Sequence, residues 1–238
     1  MIGEMHCHTR LSRARWVHRE LPTPFELIDY AANAKLDFLA ITDHDSQEAY
    51  ELAKSYARQK GIVLVPSVEV TTRSNRLSRR RTHILAYGVE NRIPSRMSVK
   101  ETIAAIHAAG GIAVVAHPFC SRYGKVLYIG HQVGDYAFDA VEVFNSDELP
   151  LDNMRAQALA LVLDLPGIGG SDAHTLINIG NTCVSVDIPK TDDWRVIVQA
   201  IRDRKHTITG KVYNSLKERQ STVKLLKTTF IPLHLHKD

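Results

Sequence analysis

Short β-prone runs alternate with segments of helical period along most of the chain, and this alternation restricts the fold more than any other feature. The runs IGEMH (2–6), DFLAIT (37–42), IVLVPSVEV (62–70), HILAYGV (83–89), IAVVAH (112–117), DAVEVF (139–144), PGIGGSDAH (166–174) and TCVSVDI (182–188) read as strands. Between them lie the helical patterns 22–36, 46–60, 100–110 and 151–165, with Pro24 after Thr23 suited to a helix start and Gly110-Gly111 to a helix end. Strands alternating with helices of this length predict a parallel sheet covered by helices, either open or closed into a barrel. No Ser/Gly- or Pro-rich break divides the pattern. One domain is therefore expected over 1–210, ending in a helical stretch near 192–205, with 211–238 as a basic helix and tail packed on it.

With 238 residues, 44% of them hydrophobic, the chain can bury a core of that size. It has neither a run of about 18 apolar residues nor a signal-like N-terminus, so a soluble, cytoplasmic protein with no membrane contact is expected. Cys7, Cys120 and Cys183 are odd in number and form no CxxC pair, which fits small buried hydrophobes in a reducing compartment. A net charge of +4 suits an anionic ligand without requiring nucleic acid.

The histidines are more informative. His6, His8, Asp43, His44, Glu69, His117, Glu142, Asp172 and His174 all fall at or just past the C-terminal ends of the expected strands, while His83 opens its strand. That edge is where parallel α/β folds build active sites. Taken singly the motifs are ambiguous. His6 and His8 share one strand face and can hold one cation, but paired surface histidines look the same. In ITDHDS, Asp45 or Ser46 could instead cap the next helix, and His117 in AHPF could be purely structural. GGSDAH is sharper, because Asp172 and His174 again have i, i+2 spacing after a glycine pair that admits close backbone approach. Together these imidazoles and carboxylates form a mixed N/O set suited to Zn²⁺, Mn²⁺ or Fe²⁺, with more ligands than one ion needs. A carboxylate such as Glu69 can bridge two ions, an arrangement used to activate water and to neutralise a phosphoryl oxygen.

This ordered set of HxH, TDH, an isolated Glu, an isolated His, AHP and SDAH resembles the PHP (polymerase and histidinol phosphatase) family of metal-dependent phosphoesterases, over roughly residues 2–210. The resemblance implies a distorted (β/α)7 barrel with its metal site at the C-terminal rim of the strands. It implies His6, His8, Glu69 and Asp172 on one ion, and Glu69 bridging to a second held by His83 and His117. His44 and His174 would belong to a third, with Asp43 orienting a neighbouring ligand. Family members with three ions complete the third site with an Asp or His shortly after HxHT. Here that stretch reads LSRARW, and neither Arg13 nor Ala14 can bind a cation. His18 is the nearest substitute, so two ions are expected and the third is open.

Hydrolysis of a small-molecule phosphomonoester or a nucleotide is the expected activity, with Glu69, His174 and His44 as its catalytic residues. Either histidine could be the general acid when not holding a third ion. Arginine suits bidentate phosphate contacts. Arg10, Arg13 and Arg15, then Arg73, Arg76, Arg79, Arg80 and Arg81, then Arg122 with Lys125 are the candidates, against the alternative of solvated loops. Arg13, Arg81 and Arg122 stand for the three groups as substrate-binding candidates. A nuclease acting on DNA or RNA ends is the competing enzyme reading, and a metal-binding regulatory module without chemistry the competing non-enzyme one.

Overall fold

The computed structural model describes residues 1–13, 21–73, 82–120 and 129–210. The expected 211–238 helix, His18, Arg15, the arginines from 76 to 81, Arg122 and Lys125 lie outside the described residues.

Among the described residues, ten strands form two mixed sheets. The first runs β10-β9-β1-β2-β3 and the second β4-β5-β6-β7-β8. Their ranges are β1 Ile2–Cys7, β2 Phe38–Ile41, β3 Val63–Val65, β4 Ser67–Thr71, β5 His83–Tyr87, β6 Ile112–Val115, β7 Ala140–Asn145, β8 Gly167–Gly170, β9 Thr182–Val186 and β10 His206–Gly210. The five helices are α1 Pro24–Asn33, α2 Glu48–Gln59, α3 Val99–Ala108, α4 Pro150–Val162 and α5 Trp194–Arg202. Local chemistry sets several helix starts. Thr23 with Glu26, and Ser98 with Glu101, form reciprocal capping boxes at α1 and α3.

Parallel pairing holds for β1-β2-β3 and for β6-β7-β8, as the alternation predicts. Elsewhere the expectation fails for identifiable reasons. IVLVPSVEV is not one strand. Pro66 lacks the N–H that a ladder requires, and the chain passes there from the first sheet (β3) to the second (β4). β5 then pairs antiparallel with both β4 and β6, and β9 with both β1 and β10. β10 was not expected, because HTITG is short and directly follows the last helix. No closed barrel ladder is present among the described residues. Parallel bridges Cys7↔Ala173 and His44↔Glu69 instead join the two sheets at the C-terminal ends of β1, β2 and β8.

Packing follows the alternation along each strand. Val68 and Val70 face the cluster beneath α3 and α4, so Glu69 between them faces the opposite way. A second cluster with Met5, Phe38, Leu85, Tyr87 and Ile168 fills the space between the sheets, and a third packs α1 and α2 on the outer side of the first sheet. Tyr87 Oη donates to Met5 O at 2.7 Å across the middle cluster. Buried Glu4 accepts backbone N–H bonds from His6 (3.0 Å), Ser171 (2.9 Å) and Gly180 (3.1 Å), tying β1 to the segment after β8.

Candidate metal centre

The reversal of β5 accounts for the one candidate ligand that broke the positional pattern. His83 begins β5, but β5 runs opposite to its neighbours, and Thr71 at the end of β4 is its register partner. Its imidazole therefore reaches the edge at which the other strands end. At that edge His6, His8, Asp43, His44, Glu69 and His117 are buried and the Asp172 side chain is 12% exposed. One inter-sheet bridge joins His44 to Glu69, and the other joins Cys7, between His6 and His8, to Ala173, between Asp172 and His174.

Glu69, fully buried, is the hub. Its Oε1 lies 2.8 Å from His83 Nδ1 and 3.1 Å from His117 Nε2. Its Oε2 lies 3.1 Å from His44 Nδ1, 3.3 Å from His8 Nε2 and 3.4 Å from His6 Nε2. Asp172 Oδ1 is 3.0 Å from His8 Nε2 and 3.4 Å from His6 Nε2. His174 Nδ1 sits 2.8 Å from the Asp172 carbonyl oxygen. Asp43 accepts from the Thr9 N–H at 2.6 Å and the Thr9 hydroxyl at 2.5 Å, fixing the backbone immediately after His8.

Four overlapping groups have ligand atoms within 4.8 Å of one another: His6/His8/Asp172, His6/Glu69/His117, His44/Glu69/His83 and His8/His44/His174. The donors are the imidazole-plus-carboxylate mixture that suits borderline transition ions. Two details fit cation ligation better than a hydrogen-bonded core. Among the described residues His8 Nδ1 is buried without a hydrogen-bond partner, and His83 Nδ1 lies close to Glu69 without hydrogen-bond alignment. The local backbone is also strained, with His117 at φ 27° and Asp172 at φ 53°. Left-handed conformations at non-glycine residues persist where surrounding structure enforces them, commonly at functional sites.

The electrostatics are strongly coupled. Burial works to raise the Glu69 carboxyl, but the surrounding imidazoles of His44, His83 and His6 hold it well below the usual carboxylate range. Asp172 is held down similarly, burial being outweighed by His6 and His8. Burial would lower His6, yet Asp172, Glu142 and Glu69 push it well above 6.5. His117, likewise opposed by burial, is raised to about 9 by Glu69. Burial dominates at His8, lowered to about 4, and at His44, lowered well below 6.5. It also raises Asp43 to about 7.

Two buried carboxylates accompany the ligands. Glu142, which lies at the same strand edge, takes His6 Nδ1 at 2.8 Å, the His117 N–H at 2.8 Å and Asn145 Nδ2 at 3.1 Å. A ligand histidine held by a carboxylate at its far nitrogen is the usual device for fixing ring orientation and basicity. Glu148, in the segment after β7, carried no sequence signal. Among the substrate-binding candidates, described Arg13 donates through Nη2 to Glu48 Oε1 at 2.6 Å, its backbone N–H bonding His44 O at 2.9 Å. Arg10 lies 3.8 Å from Glu26.

The family model for a PHP-associated segment matches residues 150–206. An uncharacterised protein of Methanocaldococcus jannaschii is 28% identical over 151 residues, which is 61% of this chain and 82% of that one. A candidate metal-dependent phosphoesterase from Bifidobacterium adolescentis has a similar fold, with a TM-score of 0.60 at 20% identity over 84% of this chain and 95% of its own. An amidohydrolase from Chromobacterium violaceum, crystallised with sulfate and no metal, gives 0.62 at 20% identity over 83% and 96%. A lesion-specific endonuclease from Pyrococcus furiosus gives 0.53 at 16% identity over 84% and 56%. At such identities the likeness is one of fold. No helix among the described residues is long and apolar enough to cross a membrane.

Proposed function

We propose that this chain, a PHP-family protein by its PHP-associated segment and shared fold, is a metal-dependent phosphoesterase acting on a small-molecule phosphomonoester or nucleotide. The observation that carries the reading is Glu69, one buried carboxylate whose two oxygens serve two separate groups of imidazoles. That is the arrangement of a bridging ligand. His6, His8, Glu69 and Asp172 would hold one ion, and Glu69, His83 and His117 a second. Bound there, Zn²⁺, Mn²⁺ or Fe²⁺ supplies Lewis acidity toward the phosphoryl oxygens and toward the attacking water.

The rest falls to the protein. Asp43 fixes the Thr9 backbone and so the direction of His8, and Glu142 fixes His6. His174 would protonate the leaving oxygen, unless it joins His8 and His44 in a third ion site. His44, held well below 6.5 by burial, is the weaker candidate for that proton. Arg13, Arg81 and Arg122 remain the candidates for phosphate contact. The two inter-sheet bridges support reading the rim as a distorted seven-stranded barrel formed by β1, β2 and β4 to β8. We place the protein in the cytoplasm, with residues 1–210 as its catalytic domain.

A screen of phosphomonoesters, phosphodiesters and short oligonucleotides with added Mn²⁺ tests the reading. Release of phosphate from monoesters is the expected result. Oligonucleotide cleavage with affinity that falls steeply as salt rises would favour a nuclease instead. Absence of tightly bound metal and of any hydrolysis would favour a regulatory module.

A further inference from the structure

Glu148 lies in the turn between β7 and α4, and that turn is held firmly. Its N–H bonds Asn145 O at 3.2 Å. Asn145 and Asn153 exchange two further bonds of 2.9 Å each, tying the end of β7 to α4. The Glu148 side chain is 3% exposed, near enough to His117, Asp172 and Glu142 to feel their charge, with the Cys120 thiol as a hydrogen-bond donor. Its Oε2, however, is buried with no hydrogen-bond partner among the described residues. A buried carboxyl oxygen without a partner is costly and uncommon in a native interior. Beside a ligand cluster, the missing partner is best supplied by the molecule that binds there.

We infer that Glu148 is a specificity residue, its carboxyl group taking a hydroxyl of the substrate's alcohol portion on the His117 side of the cluster. The substrate class is then hydroxylated phosphomonoesters, that is, sugar, polyol or nucleoside phosphates. The inference rests on the phosphoesterase reading above and narrows it. A hydroxyl satisfies this position in either protonation state, donating to a carboxylate or accepting from a carboxylic acid. A phosphoryl oxygen, which accepts and has no proton to donate, cannot satisfy a carboxylate there. A site built to hydrogen-bond a hydroxyl rejects the analogue that lacks it, because its own polar group is then left unpaired.

The test compares glycerol 1-phosphate with propyl phosphate, of equal charge and similar length, on the Mn²⁺-loaded full chain. Binding is read by calorimetry and turnover by phosphate release. The wild type should favour glycerol 1-phosphate by at least about tenfold in both. Glu148→Ala should remove that preference while leaving propyl phosphate within about twofold, and Glu148→Gln, which keeps an acceptor and a donor, should retain part of it. A wild type without preference, or a Glu148→Ala variant that weakens both compounds equally, overturns the inference. Preferential binding without turnover of either compound supports Glu148 while removing the phosphoesterase reading. Turnover of both with a preference that Glu148→Ala leaves intact does the reverse.

Discussion

His6 Nδ1 and Glu142 Oε1 are 2.8 Å apart in a fully buried pair, which leaves His6 Nε2 as the nitrogen turned toward Glu69 and Asp172. One carboxylate thus fixes one face of the cluster, and the same Glu142 also receives the His117 N–H.

Glu142→Gln removes the charge behind His6 and sets an amide NH₂ against at least one of three donors. Metal affinity should fall about 10- to 100-fold, as for other partners behind a ligand histidine. Turnover should recover largely at saturating metal. Titration of the chelated variant with Mn²⁺, followed by activity, checks both parts.

Proton release should accompany metal binding. In the metal-free site His6 lies well above 6.5 and His117 at about 9, so both carry protons at pH 7. A ligating imidazole is neutral, so binding must expel those protons and affinity must rise with pH through the neutral range toward about pH 9. His8 and His44, already neutral at pH 7, contribute nothing to this. Calorimetry at pH 7 in buffers of different ionisation heat should report net release. Zero exchange or uptake would contradict the coupling.

Gly170 separates β8 from His6 so closely that an added Cβ would stand 2.2 Å from His6 Cβ and 2.9 Å from Glu142 Oε1. Gly170→Ala must displace a strand or the ligand itself. A loss of about 1–3 kcal/mol is expected, visible as a lower denaturant midpoint together with weakened metal binding. An unchanged midpoint would show that the seam yields freely.

Much of this site was legible because strand ends are legible. HxH, TDH, AHP and SDAH each follow a β-prone run, and the structure gathers their side chains at one edge. His83 looked misplaced because direction does not show in a strand's composition. β5 is reversed by antiparallel pairing with β4 and β6, which sequence period cannot report. The passage between sheets at Pro66 is hidden in the sequence because IVLV and SVEV, on either side of it, read as one apolar run. Glu148 was invisible for a different reason. Its character comes from burial and from long-range neighbours at 117, 142 and 172, none of which a local pattern contains.

Arg13 pairs with Glu48 in an exposed contact, and such pairs contribute at most about 1 kcal/mol. Arg13→Ala should therefore leave stability nearly unchanged. A several-fold rise in KM for a phosphomonoester with kcat preserved would place Arg13 on the phosphate. An unchanged KM would leave it as the partner of Glu48 alone.

The central claim is that Glu69 serves two ions at once. The most direct measurement is metal content and phosphomonoester hydrolysis of Glu69→Ala beside the wild type, each loaded with Mn²⁺ and desalted. The wild type should retain at least two ions per chain. The variant should lose one or more of them, with turnover reduced at least about 1000-fold. Near-wild-type turnover or undiminished metal content in Glu69→Ala would contradict the account.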